Sequence, residues 1–263
     1  MRLRFLPGKL RQVTALPPTQ WVAFVREWLG RQKTGTVPCV INGCSRIVRV
    51  PMRDYYESYG LFCEEVHCRE EIQFFLDQLK PGDVLYDIGA FRGVFSVATR
   101  LKLGNQVSIH IFEPLAKNAD AIRQICKLNA FDAFKINQMA VSNGNALSAW
   151  ITEDMVRMGD MRATVAADFP SISVDAYIAS GNPPPTIIKL DVEGFELQVL
   201  LGAVQSLKQY RPRLWLEVHP SFLKAQGHSQ DDILNSLRQT GYTISFFADY
   251  ALKSELSYHI WCH

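Results

Sequence analysis

An acid and two glycines form the first constellation able to do chemistry. Asp87 sits in the apolar run Val84-Leu85-Tyr86-Asp87-Ile88, and Gly89 and Gly93 follow before a helical pattern resumes at Val94. Glycine tolerates positive φ and lets a ligand approach the main chain. A strand running into such a turn and then a helix presents its ligand at the carboxyl edge of a parallel sheet. The pattern is not the dinucleotide fingerprint, because there is no Gly-x-Gly-x-x-Gly and the acid precedes the first glycine. A pyrophosphate needs a helix N-terminus without adjacent negative charge. A cationic or zwitterionic ligand suits Asp87 better. S-adenosylmethionine has an ammonium, a carboxylate and a sulfonium but no phosphate, so methyl transfer is the expected chemistry.

Further acids fall at the ends of later apolar runs. Glu113 follows Val107–Phe112, and Asp191 and Glu193 follow Thr186–Leu190. In an open α/β sheet such strand ends converge on one crevice. Glu113 lies past Gly93 by the interval expected of a ribose-binding acid, and a carboxylate can accept from both ribose hydroxyls. Capping of the next helix is the structural alternative. Asp191 and Glu193 are either helix-start acids, favourable by roughly 0.3–1 kcal/mol, or groups facing Glu113 across the crevice. Lys189, inside the same apolar run, points to an edge or pairs with a carboxylate. Glu217 and His219 end the run Leu214–Val218. A hydroxyl acceptor needs a base to take its proton, and Asp191, His219, Glu193 and Glu217 are the candidates. Histidine has the ordinary pKa best suited to that task, although a histidine before Pro220 can also be structural.

These residues require a sheet to position them. Strands are predicted at Val84–Ile88, Val107–Phe112, Phe134–Met139, Leu147–Ile151, Ser173–Tyr177, Thr186–Leu190 and Leu214–Val218, with Tyr242–Phe247 and Ser257–Cys262 as a closing hairpin. Helices are predicted at Glu64–Leu79, Val94–Leu101, Lys117–Leu128, Phe195–Leu207 and Asp231–Thr240. The alternation argues an α/β fold with a mostly parallel sheet covered on both faces. Residues 61–263 form the main domain in this reading. Residues 1–60, richer in proline, form an N-terminal extension or cap, with a hairpin around Asn42-Gly43. A helical stripe of Trp21, Phe24, Val25 and Trp28 would pack on the main domain, with a membrane-surface or dimer role as the alternative. Residues 152–170 would form a loop over the acceptor, with a solvated surface loop as the alternative.

Composition narrows the class. Hydrophobic residues make up 48% and charged residues 21% of 263, which suits a globular chain with a substantial core. A net charge of +2 without a basic block gives no nucleic-acid footprint. The six cysteines show no Cys-x-x-Cys spacing, so a reducing, cytoplasmic setting is expected. His67 beside Cys63 and Cys68 lacks the ligand pairs of a zinc site. No metal is expected. Residues 21–29 are too short and too charged to span a bilayer.

Taken together, Asp87-Ile88-Gly89-Ala90 with Gly93, Phe112-Glu113-Pro114, Ala140-Val141-Ser142 and Ile188-Lys189-Leu190-Asp191-Val192-Glu193-Gly194-Phe195-Glu196 resemble the FkbM-type family of S-adenosylmethionine-dependent methyltransferases. The resemblance covers roughly residues 54–247. It implies a Rossmann-like class I methyltransferase sandwich, with a seven-stranded sheet whose last strand is antiparallel. It also implies O-methylation of a hydroxyl on a sugar, glycolipid or secondary metabolite, so that the partner is a small-molecule or glycan acceptor. Carried over by position, Asp87, Gly89, Ala90 and Gly93 would cradle the methionine part of the cofactor. Glu113 would hold the ribose, Pro114 would shape the turn, and Ala140 and Val141 would lie near the adenine. Asp191 would face the cofactor amine and the acceptor, with Glu217 and His219 lining the acceptor side. One departure stands out: Ala90-Phe91-Arg92-Gly93 replaces the family's usual Ala-Asn-x-Gly. An NAD-dependent oxidoreductase and a non-catalytic cofactor-binding scaffold are the alternatives.

Overall fold

A computed structural model describes residues 34–132, 134–144, 147–151, 165–247 and 257–263. The stripe from Trp21 to Trp28 and residues 152–164 of the expected acceptor loop lie outside them, and the described end of that segment, Val165–Phe169, is a strand and not loop.

The centre of the fold is a seven-stranded sheet. Its strands are β3 (Val84–Ile88), β4 (Ser108–Phe112), β5 (Lys135–Asn137), β10 (Ile187–Leu190), β11 (Arg213–Val218), β12 (Ile244–Phe246) and β13 (Tyr258–Cys262). They lie in the order β12-β13-β11-β10-β3-β4-β5. β13 runs antiparallel to both β11 and β12, and the other pairings are parallel. β10 is buried along its whole length, and β3 and β4 are buried except at their first residues. Parallel strands covered on both faces read as nearly continuous apolar runs, as these do. The fold is therefore the mostly parallel, Rossmann-like sandwich with an antiparallel last strand.

Helices cover both faces: α1 (Val66–Asp77), α2 (Val94–Leu103), α3 (Ala116–Leu128), α4 (Val174–Ala179), α5 (Glu196–Leu201), α6 (Val204–Tyr210), α7 (Pro220–Ala225) and α8 (Gln230–Gln239). The N-terminal pair β1 (Thr36–Cys39) and β2 (Val48–Pro51) forms the expected antiparallel hairpin. Ile41, Val48, Val50 and Tyr59 share one apolar core with Ile72, Phe75 and Leu76 of α1 and with Leu85 and Val97. Beyond the main sheet, β6 (Ala140–Val141) pairs with β9 (Ser171–Ile172), and β7 (Leu147–Ile151) with β8 (Val165–Phe169).

Two segments differ from expectation. Ser173–Tyr177 is not a strand. Ser173 accepts a hydrogen bond from the Ala176 amide at 3.1 Å and so caps α4. The apparent alternation there is the spacing from Val174 to Tyr177, which puts both on the buried side of a helix. The single helix expected over Phe195–Leu207 is two, α5 and α6, broken at Gly202-Ala203. A Cβ on Gly202 would stand 2.1 Å from the Ser142 carbonyl oxygen, and the Gly202 carbonyl accepts from the Asp175 amide at 3.1 Å. Packing against the β6 end overrides continuous helical periodicity.

Strand register decides which groups meet. Phe112, Ile88, Leu190 and Leu216 form one row across β4, β3, β10 and β11. The next residue on each strand is Glu113, Gly89, Asp191 and Glu217, all at the carboxyl edge. Glu217 is paired across the antiparallel ladder with His259. One row inward, Lys189 is paired with Asp87. Side chains two apart share a face, so Lys189, Asp191, Glu217 and His259 are brought together by alternation alone.

Candidate active site

A groove opens at the carboxyl ends of β3 and β4. Gly89 has φ 75°, and a Cβ there would fall 1.7 Å from the Asp191 carbonyl oxygen, so only glycine fits. Phe91 is also left-handed, at φ 51°, a conformation that a bulky residue holds only when its surroundings impose it. Its amide donates to Glu113 Oε2 at 2.9 Å, while Glu113 Oε1 accepts from the Leu115 amide at 2.9 Å and Asn118 Nδ2 at 3.2 Å. Burial pushes the Glu113 carboxyl up to about 6 despite these donors. Glu113 thus organises the loop as well as facing the groove. With three donors on roughly four lone-pair sites, room for another remains on Oε2.

Of the residues expected at a cofactor, Gly89, Glu113, Pro114, Ala140, Val141 and Asp191 line this groove. Asp87, Ala90 and Gly93 are not among its lining residues. Asp87 is 1% exposed, accepts from Ser96 Oγ at 2.5 Å, and lies 3.8 Å from Lys189 Nζ. Burial raises its pKa, with Lys189 and Ser96 opposing. Its other oxygen, Oδ1, has no hydrogen-bond partner.

The loop is held from outside by a contact the sequence reading missed. Arg92 is buried and pairs with Asp54 at 3.4 Å and with Glu57, and its carbonyl accepts from Tyr59 Oη at 3.0 Å. The helical segment Met52–Glu64 is therefore clamped to the glycine loop. The unusual Phe91-Arg92 pair was the one signal available in the sequence.

Beside the groove stands a histidine–carboxylate cluster. Lys189 Nζ, buried inside β10, donates to the Gly89 carbonyl at 2.8 Å and to Asp191 Oδ2 at 3.3 Å. Nearby carboxylates hold its pKa up against the burial that would lower it. His219 Nδ1 lies 2.7 Å from Oε1 of Glu196, a fully buried acid at the start of α5. That bond aims Nε2 at Glu193 Oε2 (3.5 Å), Glu217 Oε1 (3.5 Å) and Asp191 Oδ1 (3.9 Å). Burial opposes the charged imidazole, but Glu196 first and then Glu217, Asp191 and Glu193 prevail, pushing its pKa up to about 10. Burial, with Asp191 next, pushes Glu193 up to about 8. Glu193 has φ 51°, a second strained residue on the groove wall.

Glu217 also meets a second histidine. His259 Nε2 is 3.4 Å from Glu217 Oε2 and 3.1 Å from Glu71 Oε1 on α1. The two acids hold His259 well above its ordinary pKa despite burial. Glu217 is held below the carboxylate range: burial opposes this, and the two histidines overcome it. Glu71 and His259 escaped sequence reasoning. Glu71 reads as one surface acid of an amphipathic helix, and His259 as one residue of an alternating terminal strand.

Asp191, Glu217 and His219 each offer an atom within 4.8 Å of the others, a spacing compatible with a metal ion that the sequence reading did not foresee. Among the described residues His67, Cys63 and Cys68 form no comparable group.

The cluster is also the wall of a cavity of about 280 Å³, lined among others by Phe62, Phe95, Glu71, Glu217, His259 and Asp191. Asp191 lines both this cavity and the groove. Glu113, Asp191 and Glu193 line the groove, Asp191 and Glu217 line the cavity, and Asp191, Glu193 and Glu217 stand around His219.

The profile of the Methyltransferase FkbM domain matches residues 87–244, more than half of the chain. The chain belongs to the FkbM methyltransferase family. Among characterised relatives, hexuronic acid methyltransferase AglP of Haloferax volcanii is 23% identical over 193 residues, covering 71% of this chain and 77% of the relative. The crystal structure of a methyltransferase FkbM from Methylobacillus flagellatus KT is similar with a TM-score of 0.48 at 14% identity, over 93% of this chain and 60% of that one. This chain therefore spans less than two thirds of that protein. SMU.1697c of Streptococcus mutans, in complex with SAH, gives a TM-score of 0.47 at 11% identity, over 74% of this chain and 95% of that one. No described helix is long and apolar enough to cross a membrane.

Proposed function

We propose that the chain transfers a methyl group from S-adenosylmethionine to a hydroxyl of a sugar or sugar-like metabolite. The observation that carries this reading is the position of Asp191 in the wall shared by groove and cavity. The groove fits this cofactor. It combines main chain opened by Gly89, the Glu113 carboxylate and apolar residues such as Phe112, Met139 and Val141, and no described Lys or Arg lines it. A molecule with no phosphate suits such walls, whereas the pyrophosphate of NAD finds no cation there. Resemblance to a hexuronic acid methyltransferase supports a sugar acceptor.

When bound, the cofactor supplies a methyl group activated by its sulfonium. The residues of the chain align the acceptor and handle its proton. Alignment across one shared wall provides much of the acceleration of an in-line displacement. Asp191, steered by Lys189 and by the His219 proton, takes the hydroxyl proton as the new O–C bond forms. A positioned base of this kind contributes about 10²–10⁴-fold. With a pKa near 10, His219 already carries a proton at neutral pH, so it orients Asp191 and is not the base. Burial and then Asp191 raise the Glu193 carboxyl, with His219 opposing.

The test is single-turnover transfer to a sugar panel followed by mass spectrometry, with calorimetry of S-adenosylhomocysteine and NAD in parallel. Asp191→Asn is expected to lose at least ~100-fold in transfer while S-adenosylhomocysteine still binds. Near-wild-type transfer by that variant refutes the assignment. Binding of NAD in place of S-adenosylhomocysteine favours the oxidoreductase, and cofactor binding with no transfer to any acceptor favours the scaffold.

A further inference from the structure

The charge distribution of the cavity specifies the acceptor more narrowly than the family does. Three carboxylates, from Glu71, Asp191 and Glu217, stand in its wall. The described cations beside them are already engaged. His259 lies between Glu71 and Glu217, His219 is ringed by Glu196, Glu193, Glu217 and Asp191, and Lys189 holds the Gly89 carbonyl and Asp191. Among the described residues none of these cations is left to pair with a carboxylate carried by the acceptor. Each acid is shared with one of these cations but keeps oxygen lone pairs that can accept from hydroxyl and ammonium donors. Phe62 and Phe95, packed edge to face at 5.5 Å between ring centres, give the same cavity an apolar wall for the C–H face of a ring. At about 280 Å³ it lies near the small end of ligand sites.

We infer that the acceptor presents an uncharged or amine-bearing polyol ring to this cavity, and that an acidic sugar is rejected by the wall of Glu71, Asp191 and Glu217. This deepens the methyltransferase reading and rests on it. An acceptor carboxylate in the cavity would lie within a few ångströms of three carboxylates and find their cations already shared, a balance sufficient for about tenfold or more in affinity.

The experiment uses the full wild-type chain. Calorimetry first measures S-adenosylhomocysteine binding. Saturation-transfer NMR on the S-adenosylhomocysteine-loaded protein then titrates methyl α-glucopyranoside, glucosamine and sodium glucuronate in low salt and again in about 1 M salt. The expected result is binding of the glucoside and glucosamine, glucuronate about tenfold or more weaker, and a gap that narrows as salt rises. Glucuronate binding as well as the glucoside overturns the inference and leaves the methyltransferase reading intact. Silence from all three sugars also overturns it. Failure to bind S-adenosylhomocysteine overturns both.

Discussion

Replacing Glu196 by Gln tests how the cluster is charged, because it removes the group that contributes most to keeping His219 protonated. Glu196 Oε1 lies 2.7 Å from His219 Nδ1 and accepts from the Gly194 amide at 2.9 Å, and the side chain is fully buried. Glutamine keeps the shape and removes the charge. A hydrogen bond to a charged group is worth about 1.5–3 kcal/mol, which corresponds to roughly 1–2 pKa units. His219 should therefore fall from about 10 by that amount. It stays above its ordinary 6.5, because Glu217, Asp191 and Glu193 remain. The stability consequence has a definite sign. A histidine whose folded pKa is raised contributes fully below its unfolded value and loses that contribution as pH rises through the folded value. Wild-type protein should lose this contribution between pH 6.5 and about 10. The variant should be less stable by roughly 1.5–3 kcal/mol near pH 6, with the difference vanishing above pH 10. NMR titration of the His219 ring and urea denaturation across pH measure the two quantities. An unchanged His219 titration, or a stability difference independent of pH, refutes the account of the cluster.

Other perturbations have equally specific outcomes. Gly89→Ala forces a Cβ to within 1.7 Å of the Asp191 carbonyl, so S-adenosylhomocysteine binding should be lost in calorimetry while far-UV circular dichroism stays near wild type. Arg92→Met takes the ion-pair partner from the buried Asp54, while Glu57 keeps Arg53, and removing one partner of a buried pair costs about 3–5 kcal/mol. Its urea midpoint should fall accordingly, with weaker cofactor binding through the loosened loop. Ser173→Ala removes the α4 cap and should cost about 1 kcal/mol, with methyl transfer unchanged because α4 lines neither groove nor cavity.

Much of this site was legible because it follows from strand ends. Asp87, Glu113, Asp191 and Glu217 each lie in or just after an apolar run, and parallel register places such positions in rows. Lys189 was expected to find an edge or a carboxylate, and it pairs with Asp191 and Asp87. What could not be read depends on contacts distant in sequence. Glu71 and His259 are 188 positions apart and meet only because α1 packs over the antiparallel end of the sheet. The Arg92 clamp likewise depends on how Met52–Glu64 folds back on the loop. For His219 the ordinary pKa was the available guide, and the structure adds the acids Glu196, Glu217, Asp191 and Glu193, which push it up to about 10 against its burial. Ser173–Tyr177 failed for a local reason, since five residues fit either period and the cap at Ser173 decided between them.

The most direct test of the account is a crystal structure of the chain with S-adenosylhomocysteine. The account predicts the ligand in the groove, its ribose at Glu113 and its thioether sulfur beside Asp191, facing the cavity of Glu71 and His259. A ligand bound elsewhere, or a sulfur turned away from Asp191 with main chain closing the passage to the cavity, would contradict it.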